Sequence, residues 1–529
     1  MRAIDLAVIG TYFAVTISIG LYCSRNNRGS DGYFLGGRNF PGWAIGLSFI
    51  GSTISSVTFI AFPADSFKTT WIRLLPNFAY PLVVIFAGIL FVPLFRSGRI
   101  HSAYHYLHLR FGALISVYAA LIYLLAQIVR SSTILYLLAV LLSSITGFST
   151  PYCILLAAGT TAAYTVKGGF EAVVWTDVIQ MIILSLGACA CIATIFYALP
   201  GGLSQILSEA SAAGKLSFLD LNPATGQLEP IPFAFSLTEK TTLMLILVGM
   251  SQFISGQLDQ DSVQRWCSAK STREARKSMV VLGFGALPIW AGFMLLGTCL
   301  WVYYQHFPSD VSSSILAGNR KAEDILPHFI VTVLPVGVCG LVASAALAAA
   351  MASLSSSISS SGMVLVNDLY RTYLARDRDD VHYVGVARAS SLGLAVMMAG
   401  GAWAIYSSNA KTIMELTIIL LALVGGGISG AFLFGLFTRR GDARCVLFGI
   451  GFTALFTAYS VAAQAGWVQG VFSPYYTSIL SNFIMFGVCW FTSLFFRGKA
   501  RDLSGLTIWD RRVSPNEPSG CVPAKRVAP

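Results

Sequence analysis

Charged residues are scarce in this chain. Only 11% of its 529 residues are Asp, Glu, Lys or Arg, whereas 55% are hydrophobic and the mean hydropathy is +0.69. Apolar runs long enough to cross a bilayer, about 17 to 25 residues each, can be laid along nearly the whole sequence. The composition therefore predicts an all-α polytopic membrane protein.

Residue patterns typical of metal sites, nucleotide loops and enzymes are also missing. The ten cysteines form no CxxC pair and no histidine cluster accompanies them, so we interpret them as small packing residues. The glycine-rich stretch 31–43 is followed by no Lys-Ser/Thr pair, which argues against phosphate binding. No paired carboxylates or nucleophile and base stand near each other on the loops. We expect neither an enzyme nor a cofactor.

About thirteen transmembrane helices are predicted from the apolar runs. They cover residues 4–23, 43–65, 74–95, 114–143, 150–166, 172–199, 241–262, 278–303, 331–361, 383–406, 413–438, 443–463 and 477–496. We expect one transporter domain over 1–498 and a disordered, Pro-rich tail over 499–529.

Positive charge predicts the topology. Arg25 and Arg28 follow the first span directly, which places the N terminus outside and this loop inside. If each later span crosses the membrane once, successive loops lie on alternating sides. Most basic residues then fall on inner loops, and the C terminus is cytoplasmic. The formal charge of +11 is then a topology signal in a cell inner membrane, and it requires no nucleic-acid partner.

The second predicted span has a polar centre. Gly51, Ser52, Thr53, Ser55, Ser56 and Thr58 occupy its middle, and unpaired polar groups in hydrocarbon cost several kcal/mol each. Two interpretations are open: a broken helix that faces a binding cavity, or a helix that uses small residues for close packing.

Two ionisable residues lie deep inside apolar runs, Arg130 in the fourth span and Asp177 in the sixth. Intramembrane charges are costly and usually mark substrate or ion paths. Arg130 could pair with Asp177, or its guanidinium could bind a substrate carboxylate through two parallel hydrogen bonds. Asp177 must be protonated, paired or bound to a cation.

The seventh span is polar at its centre too, from Gly249 to Gln257, and it lies five spans after the second. Two broken helices at matching positions indicate a five-plus-five inverted repeat, with halves at about 43–199 and 241–438. The ninth span carries a serine run, in which Ala349, Ser353, Ser356 and Ser360 share one helical face. These hydroxyls could donate to carbonyls of the preceding turn of their own helix, or they could supply oxygens to sodium, a hard cation.

Several motifs resemble those of the sodium/solute symporter family. They are Tyr33–Asn39, the run Gly-Gly-x-Glu-x-Val-x-Trp-Thr-Asp-x-x-Gln at 168–180, Val263–Arg265 and the serine-rich ninth span. The chain most resembles the bacterial sodium/sialic acid symporters, because of Ser52–Thr58 and the arginine of the fourth span. This resemblance implies a LeuT-like fold.

The resemblance also implies site residues. It implies a first sodium bound by carbonyls of Gly51, Ile54 and Ala349 with the Ser353 hydroxyl, and a second near Asp177, Ser355 and Ser356. The substrate carboxylate would contact Ser55, Thr58 and Arg130, with Asn77 nearby. Two departures stand out: Ala352 replaces a serine of the relatives, and Asn77 replaces a glutamine.

The sequence thus predicts a sodium-coupled symporter that imports a carboxylate-bearing sugar such as sialic acid by alternating access. Its expected partners are sodium, a small-molecule substrate and the lipid bilayer, and the oligomeric state is left open. The alternatives are a sodium symporter for another sugar, polyol or organic acid, and a ligand sensor of the same fold that does not transport.

Overall fold

Helices form most of the chain. The computed structural model describes residues 2–26, 29–96, 100–221, 227–408, 427–473, 476–496 and 502–509. In hydrocarbon a helix satisfies its own backbone hydrogen bonds, which explains why the apolar runs are helical. The helices are α1 Ala3–Cys23, α2 Ser30–Leu35, α3 Gly42–Thr53, α4 Ser56–Lys68, α5 Tyr80–Phe95, α6 Ala103–Phe111, α7 Ala113–Thr146, α8 Thr150–Ala198, α9 Gly202–Ala212, α10 Thr242–Gln257, α11 Gln260–Ser268, α12 Thr272–His306, α13 Asp310–Leu316, α14 Ile325–Thr332, α15 Val338–Met363, α16 Asp380–Ser407, α17 Ile428–Phe437, α18 Ala443–Gln464 and α19 Thr477–Thr492.

Shorter elements connect these helices. 3-10 turns cover Ser24–Asn26, Gly36–Arg38, Trp71–Ala79 and Ala322–Asp324, and a π-helix, Val364–Leu374, continues α15. Strands β1, Leu219–Leu221, and β2, Leu228–Pro230, pair antiparallel with Leu219 opposite Pro230.

Within the described residues, eight helices are long and apolar enough to cross a membrane, and the bent pair α3 and α4 makes a ninth candidate. Helices α10, α17 and α19 are shorter and apolar. The prediction of a multi-pass helical membrane protein is confirmed. The eleventh predicted span, 413–438, lies partly outside the described residues, so the count of thirteen stays a prediction.

Helix α8 contains the predicted fifth and sixth spans. Gly169 interrupts it with φ 59° and ψ −156°, a conformation that is easy only for glycine. The interruption falls in the gap between 150–166 and 172–199. It separates the first part of α8 from the part that carries Asp177.

Helix α15 lies at the centre of the molecule. Every residue from Val342 to Val364 is buried, and the helix packs against α1, α3, α7, α8 and α16. Small side chains permit this close approach: a Cβ atom on Gly187 of α8 would lie 2.5 Å from the Ala345 Cβ. The serine run of the ninth span therefore faces protein on every side.

Candidate functional site

The second predicted span is a broken helix. Helix α3 ends at Thr53 and α4 begins at Ser56, while Ile54 and Ser55 are extended and the two halves are bent by 61°. A helix end leaves carbonyls without intrahelical partners. The break therefore exposes the last carbonyls of α3 and decides between the two interpretations of this polar centre in favour of the broken helix.

The seventh predicted span is also broken, but later than its polar centre. Helix α10 runs without interruption to Gln257, and the break falls at Leu258 and Asp259 before α11. Gln252 and Gly256 are nevertheless exposed on α10, although they lie within an apolar segment. The polar residues thus form the side of a helix, and only the last of them adjoins the break.

Three elements meet at the predicted first sodium site. The Ser353 hydroxyl of α15 lies 3.4 Å from the carbonyl oxygen of Ser52 and 3.4 Å from that of Ala349. A Cβ atom on Gly51 would lie 3.4 Å from the Asp177 carbonyl oxygen and 3.7 Å from the Ala352 Cβ. The structure therefore brings Gly51, Ala349 and Ser353 together beside the break at Ile54, and the groups around it are carbonyl and hydroxyl oxygens.

Asp177 belongs to a buried ion-pair network. Its Oδ2 atom accepts hydrogen bonds from the Ser48 hydroxyl at 2.6 Å and from an Arg265 Nη2 at 3.2 Å. Arg265 also donates to Ser356 Oγ at 2.6 Å and to Asp261 Oδ1 at 2.6 Å. Among the described residues, no group donates to Asp177 Oδ1. Two of the three residues predicted for a second sodium thus share Arg265, whereas the Ser355 hydroxyl donates to the Ala352 carbonyl at 3.1 Å.

The alternative that Arg130 pairs with Asp177 is wrong, because Arg265 occupies that position. In the sequence, Arg265 stands out only as the last residue of the Val263–Arg265 motif and as one of the basic residues that predict the topology. The structure buries it completely in α11, with its guanidinium 5.2 Å from the Phe49 ring centroid. An arginine at the end of a polar span, opposite an intramembrane aspartate, is the signal that could have revealed the pair.

Arg130 lies exposed on α7. It donates one long hydrogen bond, 3.4 Å, to Ser357 Oγ of α15, and its charge acts on Asp259 in the second break. The Ser56 hydroxyl at the start of α4 donates to the Ile134 carbonyl at 3.3 Å, one turn further along α7. Arg130 is therefore close to both broken helices.

The other predicted substrate residues lie nearby on separate elements. Ser55 is half-buried in the first break, and Thr58 and Asn77 are each 8% exposed. A Cβ atom on Gly249 would lie 2.6 Å from the Pro76 carbonyl oxygen, so the segment that carries Asn77 packs on α10. Within the described chain, Arg130 makes no direct hydrogen bond to these three residues.

Tyr80 is a residue that the sequence analysis missed. Its hydroxyl lies beside the side chains of Thr53 and Gln257, the last residues of α3 and α10. Its ring packs against Phe253 and Trp290, with centroid distances of 4.6 and 5.1 Å. Tyr80 thus joins the two breaks.

Comparison with known proteins supports the family resemblance. Residues 33–451 match the model of the sodium:solute symporter family. The chain is 31% identical to a sodium/sialic acid symporter of Proteus mirabilis, over 84% of this chain and 87% of the relative. It is 29% identical to a sodium/glucose cotransporter of Vibrio parahaemolyticus, over 84% and 83% of the two chains.

Solved structures agree on the fold. The structure of a Na⁺-coupled sialic acid symporter in a substrate-bound outward-open state has a TM-score of 0.83 and 27% identity, and covers 94% of this chain and 99% of that one. The nucleobase-cation-symport transporter Mhp1 has a TM-score of 0.51 at 14% identity, over 90% and 98%, and shows the fold alone. The predicted LeuT-like fold is therefore confirmed. With its two broken helices, its buried serine-rich α15 and the family match over most of its length, the chain belongs to the sodium:solute symporter family.

Proposed function

We propose that this protein is a sodium-coupled symporter that imports sialic acid by alternating access. The observation that carries the proposal is the meeting of the α3 break with Ser353 of α15, which gathers free carbonyl and hydroxyl oxygens inside the membrane. Hard cations bind such oxygen sets. The relatives that are named sialic acid symporters, from Proteus mirabilis and from Aliivibrio fischeri at 28% identity, support the substrate.

The first sodium would use the carbonyl oxygens of Gly51, Ile54 and Ala349 and the Ser353 hydroxyl. These ligands come from both sides of the α3 break and from α15. Binding would therefore hold the break against α15 and order the cavity. Because linkage is reciprocal, sodium must raise substrate affinity by the factor by which substrate raises sodium affinity.

A second sodium near Asp177, Ser355 and Ser356 would neutralise the net negative charge of the network around Arg265. When both carboxylates are ionised, Asp177 and Asp261 carry two negative charges, and Arg265 between them carries one positive charge. A buried network with a net charge of about −1 favours one monovalent cation, and Asp177 Oδ1 has an accepting position for it. Replacement of Asp177 by Asn should therefore weaken the sodium dependence of uptake; an unchanged sodium activation curve would contradict this site.

The substrate carboxylate would bind Ser55, Thr58 and Arg130, with Asn77 nearby. Arg130 is exposed and makes a single long hydrogen bond within the described part of the chain, so its guanidinium can still bind a carboxylate through two hydrogen bonds. We place the protein in a cell inner membrane, with the N terminus outside and the C terminus in the cytoplasm.

The test is uptake of labelled N-acetylneuraminate into proteoliposomes, with and without an inward sodium gradient. Accumulation only with the gradient is the expected result. Uptake that is equal in sodium and in choline would contradict sodium coupling.

Another carboxylate is the second candidate. Asn77 reaches less far than glutamine, and relatives at 25% identity include the human sodium-coupled monocarboxylate transporter 1. If unlabelled lactate or pyruvate competes for a sodium-dependent flux and sialic acid does not, the symporter remains and the substrate assignment changes. Thermal stabilisation by sodium, with no flux of any acid, would favour a sensor.

A further inference from the structure

A basic, aromatic cavity lies at the predicted inner ends of α17 and α19, away from the transport site. Its volume is about 560 Å³, and it is lined by Phe437, Thr438, Arg439, Arg440, Trp490 and Trp509. None of these residues contributes to the proposed sodium or substrate sites. The cavity therefore needs an explanation of its own.

A segment of the C-terminal tail forms one wall of this cavity. The Ile508 amide donates to the Leu436 carbonyl at 3.1 Å, and the Trp509 indole donates to the Phe437 carbonyl at 2.8 Å. Leu506 is buried nearby. Although we expect disorder for 499–529, residues 502–509 are thus bound to the end of α17.

The lining has two chemical parts. Arg440 is exposed, and the neighbouring Asp442 pairs with Arg444 at 2.9 Å, so that carboxylate already has a cationic partner of its own. Trp490 and Trp509 are 50% and 61% exposed. Tryptophan at the end of a membrane helix is typical of the headgroup level of a bilayer.

We propose that this cavity binds the headgroup phosphate of an anionic phospholipid. The Arg440 guanidinium offers parallel donors to phosphate oxygens. Arg439 donates to the Trp509 carbonyl oxygen at 3.4 Å and so holds the aromatic wall, and the indole rings cover the glycerol and upper acyl region. Basic pockets between helices on the cytoplasmic side bind such headgroups. A free phosphate ion would bind Arg440 and leave both indoles in water, so the aromatic wall favours the lipid.

The test measures lipid retention by native mass spectrometry and the unfolding temperature of the purified full chain, at constant sodium. Phosphatidylglycerol, phosphatidylcholine and inorganic phosphate are added separately. We expect phosphatidylglycerol alone to be retained and to raise the unfolding temperature. Equal retention of phosphatidylcholine, or the same stabilisation by millimolar phosphate, would overturn the proposal.

Two variants and a control locate the effect. Arg440→Gln should weaken phosphatidylglycerol binding about five-fold, the factor that corresponds to ~1 kcal/mol per basic residue near a lipid surface. Trp509→Ala keeps the charges, removes the wall and should also reduce retention. Arg378→Gln removes one exposed charge from the same predicted side and should leave binding unchanged. If Arg440→Gln binds phosphatidylglycerol as tightly as the parent or the Arg378 variant, the site is not this cavity.

Discussion

Two intramembrane arginines have opposite surroundings, and the contrast suggests opposite roles. Arg265 is fully buried and donates hydrogen bonds to Ser48, Asp177, Asp261 and Ser356. Arg130 is exposed and has one long hydrogen bond to Ser357. A buried arginine with carboxylate partners maintains structure, whereas an exposed one inside a membrane protein is available to a ligand.

Arg130→Ala should abolish sialic acid uptake and leave the folded protein intact. The side chain is exposed, so its loss should change the free energy of unfolding by less than about 1 kcal/mol. Uptake kinetics and the unfolding temperature measure the two effects. Near-normal uptake by this variant would remove Arg130 from carboxylate recognition.

Arg265→Ala is the matched variant, and we expect it to destabilise the protein by about 3 to 5 kcal/mol, because it leaves Asp177 and Asp261 without their buried partner. Its unfolding temperature and expression should fall well below those of Arg130→Ala. Equal stability of the two variants would show that the Asp177 network contributes little to folding.

At the scale of elements, the site depends on where helices stop and how closely they approach. The α3 break lies against α15, and further back on α3 a Cβ atom on Gly46 would lie 2.5 Å from the Val281 Cβ of α12. The same closeness holds α4 on α12, where a Cβ atom on Gly297 would lie 2.2 Å from the Pro63 carbonyl oxygen. The broken span is thus held on both halves by glycine contacts.

Ala352→Ser should strengthen sodium binding. The new hydroxyl would lie next to Ser353 and opposite Gly51, and it would supply the oxygen that the family resemblance implies at this position. We expect a lower sodium concentration for half-maximal uptake, measured in proteoliposomes. A higher concentration would indicate that the hydroxyl crowds the Gly51 contact.

Gly297→Ala should destabilise the protein by about 1 to 3 kcal/mol, because the backbone of α4 cannot yield to an overpacked Cβ without a shift. Gly292→Ala on the same helix is the control, since a Cβ atom on Gly292 would meet no neighbouring group of the described residues within 4 Å. This variant should be neutral or slightly stabilising. Unfolding temperatures compare the two. Similar losses in both would argue against the α4 contact as the cause.

At the scale of the whole molecule, the short helix α6 connects distant parts of the chain. Ser102 caps it and donates to Asp368 Oδ1 at 2.5 Å, and the Ala103 amide donates to Gln260 Oε1 at 2.8 Å. At its other end Arg110 donates to four carbonyl groups between Gly435 and Gly441. Helix α6 thus joins α11, the π-helix and the segment after α17.

A fall in pH should destabilise the contacts that α6 makes. Burial, with the charges of His101 and His108, lowers the pKa of His105 from 6.5 to about 4. Between these values the unfolded chain binds a proton that the folded chain does not, so stability falls as the pH drops from about 6.5 towards 4. His105→Gln should lose less thermal stability than the parent between pH 7 and 5. An equal loss would show that other groups govern the acid response.

The sequence by itself determined the membrane class, most span positions and the family. These features depend on local composition and on motifs within short stretches, and helix formation in lipid follows from them directly. The polar centre of the second span excludes a helix that faces hydrocarbon, but a break and close packing both met that condition.

Only the tertiary structure decided which groups meet. It paired Asp177 with Arg265 and left Arg130 exposed, placed the second break at Leu258 and Asp259, joined both breaks through Tyr80, and bound residues 502–509 to α17. Each of these outcomes depends on contacts between residues far apart in sequence, and the packing of α15 among its neighbours sets them. A charge pattern along one helix does not specify which partner the fold will bring to it.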